Sequence, residues 1–236
     1  MKTIADNIRQ LLSELPPGVE LVAAAKGAPP EAVLEAIGAG VEIIGESYVQ
    51  EAETAYQAIA CPPSPPNSDR RGNKTQWHLI GHLQKNKVKK AVALFDMIES
   101  LDSLEIAREI DKQCALIGKV MPVLIEVNSG REAQKSGVFP EGVEQLVKEI
   151  VSLQNLKLMG LMTVGPYSGN PEDYRPYFAA TRQLFDKLNE LNELNKLNEH
   201  NELKYLSMGM SDSYKAAIEE GANLVRIGTK IFGERQ

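Results

Sequence analysis

Cysteine is scarce in this chain, with only Cys61 and Cys114 among 236 residues. The two form no CxxC pair, and the three histidines do not join them in a ligand cluster. A disulfide framework and a zinc site are therefore not expected. The composition is typical of proteins kept in a reducing compartment, so we expect a cytoplasmic protein without a metal site.

Positive charge is also in deficit, because 26 Lys and Arg residues stand against 32 Asp and Glu residues and the net charge is −6. Without a broad basic surface, the chain is not expected to bind nucleic acid. It contains no run of about 18 apolar residues, so no membrane span is expected. Residues 1–15 form an amphipathic helical pattern that lacks the apolar segment of a signal peptide.

Short apolar runs alternate with helical patterns along the whole chain. The runs are rich in Val, Ile, Leu and Met, as in strands buried on both faces of a parallel sheet. They cover residues 19–25, 41–45, 77–81, 97–101, 120–127, 158–164, 203–208 and 224–227. This order, with one extra N-terminal helix, predicts an α/β fold: a (β/α)8 TIM barrel. An open doubly wound sheet fits the same periodicity, but distinctive residues follow several different strands, which favours a barrel with one mouth.

Two segments break the alternation. Residues 61–74 are rich in Pro, Ser and Asn and predict a surface loop before the third strand. Residues 188–203 repeat Leu-Asn-Glu at period three, which predicts a weak extension of the preceding helix. Neither segment marks a second domain, so a single domain is expected over residues 1–236.

Lys26 follows the first apolar run directly, in the stretch AAAKG. Reactive groups of a barrel lie at the C-terminal ends of its strands, so this position places the amine in the mouth. A deprotonated lysine amine is the nucleophile that forms a Schiff base with a carbonyl group. Taken alone, however, a lysine at the end of a strand is usually a solvated charge.

The seventh and eighth strands each end in a glycine close to a hydroxyl group. Ser207 and Gly209 close the seventh strand, and Gly228 and Thr229 close the eighth. Glycine permits close backbone approach, and the start of a following helix offers free N–H groups to an anion. Capping and turn formation explain either motif alone. Together they favour a phosphate site, because barrels commonly bind phosphate at these two loops.

Arg226 alternates along the last strand so that it can point into the mouth. Beside a pyridine nitrogen, its permanent positive charge would keep that nitrogen unprotonated. An ion pair with Glu46 or Glu126 explains the arginine equally well.

Other polar residues near the strand ends have weaker claims. His78 could contact a cofactor, although a structural histidine is the better interpretation. Asn128, Arg131 and Lys135 follow the fifth strand, where they could meet a substrate carboxylate or form a solvated loop.

Seven separated motifs beyond AAAKG resemble the pyridoxal phosphate homeostasis protein family (the YggS/PROSC group), which is related to the N-terminal barrel of alanine racemase. They occur in the family's order over almost the whole chain. The motifs are GESYVQE (45–51), WHLIGHLQKNK (77–87), ESLDS (99–103), EVNSGREAQKSG (126–137), GLMTV (160–164), LSMGMS (206–211) and VRIGTKIFG (225–233).

The resemblance implies a fold-type III protein that holds pyridoxal 5′-phosphate (PLP) as a Schiff base on Lys26. It implies that Arg226 contacts the ring nitrogen. It also implies that the phosphate lies around Ser207, Gly209, Gly228 and Thr229. The family is regarded as carriers or regulators of PLP in vitamin B6 and amino-acid balance, without an established reaction.

The chain departs from the family pattern at three places. It has Ala25 where the family usually has Ser, and Ser47 where the family usually has Asn. The family's Ser-x-Asp order is permuted here to the sequence Ser-Asp-Ser at residues 211–213. These differences concern contacts with the ring hydroxyl and the phosphate, and they leave the lysine and the glycines in place.

Two classes of function remain open, a PLP carrier and a PLP-dependent amino-acid racemase or lyase. Racemisation needs a base on each face of the substrate α-carbon, and Lys26 supplies one. Alanine racemases take the other from a second, β-rich domain, which 236 residues do not accommodate beside the barrel. We therefore expect a monomeric carrier without catalytic residues, whose further partners are PLP-dependent apo-enzymes.

Overall fold

A computed structural model describes residues 2–60, 75–166, 168, 170–195 and 203–234. In this part of the chain eight parallel strands pair in chain order, and the last pairs with the first to close a barrel. The strands are β1 Glu20–Ala24, β2 Ile43–Glu46, β3 Gln76–Leu79, β4 Met97–Leu101, β5 Met121–Val127, β6 Leu156–Thr163, β7 Tyr205–Ser207 and β8 Leu224–Ile227. The predicted (β/α)8 barrel is confirmed.

One helix precedes the barrel, as predicted, and the others lie outside the sheet. The helices are α1 Ile4–Glu14, α2 Pro30–Gly38, α3 Val49–Ala60, α4 Val88–Leu94, α5 Leu104–Ile117, α6 Pro140–Ile150, α7 Arg175–Asn195, α8 Tyr214–Glu219 and α9 Thr229–Phe232, with 3-10 turns at Lys85–Lys87 and Pro171–Tyr174. Helix α7 continues into the Leu-Asn-Glu segment, which confirms the predicted extension as far as Asn195. The predicted loop 61–74 lies outside the described residues, as does the segment 196–202.

Local sequence fixes several helix ends. Thr3 accepts a hydrogen bond from the Asp6 amide, and the Asp6 carboxylate accepts one from the Thr3 amide, which together cap α1. Ser103 caps the start of α5, and Gly118 ends that helix in the left-handed conformation, with φ 63°. Such caps satisfy backbone groups that have no partner within the helix, and each contributes about 1 kcal/mol.

The barrel has an apolar core on each side of its sheet. Alternation along β1 turns Leu21 and Ala23 toward the helices, where they join the larger core, and turns Val22 into the barrel. The inner cluster consists of Val22, Ile43, Met97, Leu124, Met162 and Leu224. These side chains are all buried, so the barrel interior is a packed core rather than a pore.

The inward positions become polar toward the mouth, which is the end of the barrel where the strands finish. In β4, β5 and β8 the inner cluster contains Met97, Leu124 and Leu224. The residues two positions further along these strands are Glu99, Glu126 and Arg226. Residues two apart on a strand share a face, so these three side chains also point inward. All three are buried. The fold therefore places charged groups directly above the apolar interior.

No helix within the described ranges is long and apolar enough to cross a lipid bilayer. In the same residues, no group of three or more His, Cys, Asp or Glu side chains is arranged to hold a metal ion.

Candidate functional site

Lys26 lies at the mouth, two residues beyond the end of β1, and its side chain is partly buried. Its Nζ is 5.1 Å from the centre of the Tyr48 ring, within range of a cation–π contact. The next residue, Gly27, has φ 74° and donates its amide to Glu51 Oε2 at 3.1 Å. The Lys26 amine forms no hydrogen bond or ion pair with the described residues. The structure therefore holds the turn in place and leaves the amine available.

The loops after β7 and β8 pack so closely that they require glycine. Gly209 has φ 88°, and a Cβ there would lie 2.6 Å from Ala217 Cβ and 2.8 Å from Tyr214 Cα in α8. A Cβ on Gly228 would lie 3.0 Å from the carbonyl oxygen of Ala24 at the end of β1. Gly228 thus brings the β8 loop next to the turn that carries Lys26. In this structure the close approach at these two glycines is between parts of the protein itself.

Ser211 links these two loops, whereas the sequence marked it only as the first residue of the permuted Ser-Asp-Ser order. Its buried Oγ accepts the amides of Gly228 at 3.3 Å and Lys230 at 3.4 Å. Thr229, the first residue of α9, is exposed beside them. Only the three-dimensional structure reveals the link, because Ser211 and its donors lie on different strand–helix loops.

A chain of buried hydrogen bonds runs across the barrel interior and ends at Arg226; we call it the polar chain. His78 Nδ1 lies 2.8 Å from Glu99 Oε1, and Ser207 Oγ donates to Glu99 Oε2 at 2.6 Å. Arg226 donates from Nη1 to Ser207 Oγ at 2.5 Å and from Nη2 to the Thr163 carbonyl oxygen at 2.8 Å. A carboxylate can only accept, so His78 donates from Nδ1 to Glu99. The polar chain connects β3, β4, β6, β7 and β8.

Burial and charge shift the pKa values of Glu99 and Arg226, the two charged members of the polar chain, in opposite directions. Burial raises the pKa of Glu99, but the hydrogen bond and charge of His78, with the charge of Arg226, outweigh burial and leave that pKa below its ordinary value. Burial lowers the pKa of Arg226 against the opposing charges of Glu99 and Glu126. Arginine nevertheless stays protonated in proteins. The interior therefore holds an ionised carboxylate and a guanidinium joined through one hydroxyl group.

This arrangement changes the picture of the residues expected at the site. Arg226 hydrogen-bonds Ser207 and Thr163, not the Glu46 or Glu126 considered from the sequence. The hydroxyl of Ser207 is wholly buried and already engaged by Glu99 and Arg226. Sequence reasoning missed Glu99, although its acidic side chain at an inward position of an otherwise apolar strand was a usable signal.

Glu46 closes β2 and is a second buried carboxyl group close to the mouth, 1% exposed. Its Oε2 has no hydrogen-bonding partner among the described residues. Burial, followed by the charge of Glu51, raises the pKa of Glu46 to about 8. The folded protein therefore favours the protonated form of this side chain at neutral pH.

The polar residues after β5 mostly satisfy one another. Asn128 is buried and hydrogen-bonds the backbone of Glu132 through both its amide nitrogen and its carbonyl oxygen. Arg131 pairs with Glu141 at 2.8 Å, and Lys135 pairs with Glu132. None of the three predicted candidates for a substrate carboxylate is left as a free charge among the described contacts.

An open cleft of about 620 Å³ lies on this side of the mouth; we call it the β5 cleft. Its lining comprises His82, Asp102, Glu126, Gln134, Lys135, Ser136 and Val164. A neighbouring cleft of about 380 Å³ shares His82, Asp102 and Ser136. These residues follow or belong to β3–β6, whereas Lys26 and the glycine loops follow β1, β7 and β8. The mouth thus has a closely packed side and an open side.

The sequence is similar to one known protein family and to several of its curated members. The family described as alanine racemase, N-terminal domain, matches residues 1–236. A pyridoxal phosphate homeostasis protein of Aquifex aeolicus is 43% identical over 217 residues, which cover 92% of this chain and 87% of the relative. One from Vibrio alginolyticus is 36% identical over 245 residues, covering 100% and 99% of the two chains.

Several solved structures have a fold similar to that of this chain. PipY of Synechococcus elongatus without PLP has 32% identity and a TM-score of 0.85, covering 98% of this chain and 100% of that one. The same protein with PLP bound has 31% identity and a TM-score of 0.83 at the same coverage. An alanine racemase of Clostridium difficile shares the fold, with 16% identity, a TM-score of 0.68 and coverage of 98% and 56%.

Proposed function

Because the chain belongs to the pyridoxal phosphate homeostasis protein family, we propose that it binds PLP and carries or regulates it in vitamin B6 and amino-acid homeostasis. The name shared by its relatives and the PLP-bound structure of PipY support this function. In this chain the observation that carries it is the Lys26 amine, which lies at the mouth without a hydrogen-bonding partner among the described residues.

Lys26 is the residue that forms the Schiff base with PLP. Its amine has no ion pair to break among the described contacts before it reacts, and the adjacent Gly27 amide is anchored on Glu51. The absence of a side chain at Gly228 lets the β8 loop lie against the end of β1, because a Cβ there would be 3.0 Å from the Ala24 carbonyl oxygen. The nucleophile and the loops proposed for the phosphate are therefore neighbours, which is the arrangement that a phosphorylated aldehyde requires.

The loops after β7 and β8 hold the phosphate through Gly209, Gly228 and Thr229. The amide of Gly228 is directed at the Ser211 hydroxyl, in the region where an anion would bind. The strand end at Ser207 belongs to the same site, but its hydroxyl group positions Arg226.

Arg226 faces the ring nitrogen of PLP. Its guanidinium is fixed by Ser207 and by the Thr163 carbonyl, so a permanent cation is held in one place. A cation there opposes protonation of the ring nitrogen and weakens the ring as an electron sink. This favours carriage of PLP over the alternative, an amino-acid racemase or lyase.

A single domain over residues 1–236 acts as a monomer in the cytoplasm and passes PLP to PLP-dependent apo-enzymes, without catalytic residues of its own. The full-length coverage of several relatives supports the single domain, since they too consist of little more than this barrel.

Borohydride reduction followed by peptide mapping tests the Schiff base. We expect PLP-loaded protein to lose its visible absorbance on reduction and to carry the pyridoxyl group on Lys26. Lys26→Ala should abolish the reducible chromophore. Lys90→Ala serves as the matched control, because Lys90 lies on the outer helix α4 in an ion pair with Glu53. A pyridoxyl group on another lysine of the wild-type protein would refute the assignment.

The carrier function is tested by hydrogen exchange and by transfer. Incubation with L- and D-amino acids in deuterated water should give α-proton exchange at the rate of free PLP, measured by NMR. Loaded protein should restore activity to a PLP-dependent apo-enzyme. Exchange well above that background, abolished by Lys26→Ala, would instead establish a racemase or lyase.

A further inference from the structure

The hydrogen bonds of the polar chain all lead to one acceptor, the carboxylate of Glu99. This side chain is wholly buried, and its two oxygens each have one partner, His78 Nδ1 at 2.8 Å and Ser207 Oγ at 2.6 Å. Arg226 in turn donates to Ser207 Oγ at 2.5 Å. The donors on β3, β7 and β8 therefore point toward Glu99 on β4, a residue to which the function proposed above assigns no role.

Glu99 fixes the direction of the Ser207 hydroxyl group. A hydroxyl group has one hydrogen, and an ionised carboxylate can only accept, so Ser207 gives its hydrogen to Glu99. A lone pair of Ser207 Oγ is then left for Arg226, whose guanidinium can only donate. Glu99 thus decides whether the serine presents an acceptor to the arginine.

Within the described residues, two hydrogen bonds hold the guanidinium of Arg226. One goes to Ser207 Oγ, and the other runs from Nη2 to the Thr163 carbonyl oxygen at 2.8 Å. The Thr163 acceptor belongs to the main chain, whereas the Ser207 acceptor depends on how its hydroxyl group is turned. Arg226 is only 4% exposed, so loss of the serine contact would leave a buried N–H group without a partner. The guanidinium would then be expected to move.

A second inward carboxyl group, Glu126, acts on Arg226 in a different way. The charges of both Glu99 and Glu126 act on the buried guanidinium of Arg226. Glu126, however, accepts its hydrogen bond from Ser136, and the described contacts include none between Glu126 and Ser207 or Arg226. Glu99 is therefore the carboxylate that reaches the arginine through hydrogen bonds.

From this geometry we propose that Glu99 is a positioning residue for the ring of PLP. It orients the Ser207 hydroxyl group, which holds Arg226 where the ring nitrogen is proposed to bind, and His78 fixes the carboxylate from the other side. The inference rests on the proposed binding of PLP. A cation held beside the ring nitrogen opposes its protonation, so a guanidinium that is no longer held should let this nitrogen take up a proton at higher pH.

Protein loaded with PLP that carries nitrogen-15 in the ring tests the proposal. The NMR shift of this nitrogen distinguishes its protonated and unprotonated forms, and it is followed as the pH is lowered. In Glu99→Gln the midpoint of protonation should lie at least about one pH unit above that of wild type. The amide keeps the shape of Glu99, but only one of its two end atoms can accept, so it cannot serve both His78 and Ser207.

Two further variants separate positioning from charge. Glu126→Gln is the matched control, because it removes a buried inward carboxylate that has no hydrogen bond to the polar chain among the described contacts, and it should move the midpoint by less than about 0.3 pH units. Ser207→Ala should reproduce the shift of Glu99→Gln, and combining the two should add nothing, because Glu99 acts through the serine. An unshifted midpoint in Glu99→Gln, equal shifts in the two glutamine variants or additive shifts in the combined variant would overturn the proposal.

A second measurement needs no PLP. In the full-length chain freed of PLP, the side-chain N–H signals of Arg226 are assigned with Arg226→Lys, and their exchange with water is measured by NMR. Exchange should be slow in wild type, where the guanidinium is buried and hydrogen-bonded, and at least about tenfold faster in Glu99→Gln and Ser207→Ala. Equal exchange rates would overturn the positioning role. Failure of the wild type to take up PLP would instead refute the proposed function, and this measurement would still stand.

Discussion

The two sides of the mouth differ in what keeps them in place. On the side of β1, β7 and β8, main chain lies against main chain, and Gly209 and Gly228 leave no room for even one methyl group without displacement. On the side of β3–β6, paired charged side chains surround an open cleft of about 620 Å³. Close packing on the first side therefore requires glycines, which have no side chain, whereas the second side is lined by ion pairs such as His82–Asp102.

Removing Glu99 should have the largest effect, because the polar chain ties strands of both sides together. Glu99→Ala leaves Ser207 and His78 without their acceptor and removes a carboxylate whose charge opposes that of the buried Arg226, so it should lower the free energy of unfolding by about 3–5 kcal/mol. Urea denaturation measures the loss. The control Glu105→Ala, at an exposed carboxylate, should stay within about 0.5 kcal/mol of wild type. A loss below about 1 kcal/mol for Glu99→Ala would mean that the two sides hold together without the polar chain.

Glu46 ends β2, which lies between the packed side and the open side of the mouth, and it should make the stability of the protein depend on pH. Its pKa is raised from 4.5 to about 8 in the folded protein. The stability associated with its protonated form is complete below the lower value and is lost as pH rises through the higher one. Glu46→Gln cannot ionise, so it should exceed wild type by about 2–4 kcal/mol near pH 9 and match it near pH 4. Denaturation at both pH values checks this, with Glu53→Gln on the outer face of α3 as control. A difference that does not vary with pH would contradict the assignment.

Glycine substitutions address the packed side directly. Gly209→Ala adds a Cβ 2.6 Å from Ala217 Cβ at a position with φ 88°, and it should lower the free energy of unfolding by about 2–3 kcal/mol. Gly38→Ala adds a methyl group where no atom lies within 4 Å, so its stability should equal or slightly exceed that of wild type. Equal unfolding free energies for the two variants would show that the packed side tolerates added volume.

Gly228→Val has the smallest expected effect, and it tests whether the packed side of the mouth binds PLP. The added side chain crowds the loop beside Ala24, and it should weaken PLP binding about tenfold, or 1.4 kcal/mol. Absorbance titration measures the affinity. Unphosphorylated pyridoxal is the control ligand, because it should bind wild type and variant alike and far more weakly than PLP binds wild type. Equal affinities of the two vitamers for wild type would refute a phosphate site in these loops.

The sequence predicts the barrel well because its signal is repeated. Each apolar run predicts one strand, and a helical pattern separates each run from the next. The strands then pair in the order in which they occur along the chain. Lys26 is placed by the same logic, since the end of a strand is a local feature. Boundaries move by a few residues, as at β7, where residues 203–208 were expected and Tyr205–Ser207 form the strand.

The polar chain could not be predicted in the same way. Alternation shows that Glu99, Ser207 and Arg226 point inward, but not which inward side chains meet across the barrel. That depends on the stagger of the strands, and the pairing of Ser207 with Leu224 gives Arg226 its reach to the serine hydroxyl. The sequence therefore assigned Ser207 to the phosphate loop, and only the register directs its hydroxyl to Glu99.

The contact between Gly228 and Ala24 also has a consequence for biosynthesis. It lies on the seam where β8 pairs with β1, and that seam joins the first and last strands of the barrel. A chain emerging from the ribosome presents Lys26 about 200 residues before the loop that packs beside it. Contacts this distant in sequence form late, after the intervening chain has been ordered. The neighbourhood of Lys26 is therefore complete only when the seam closes.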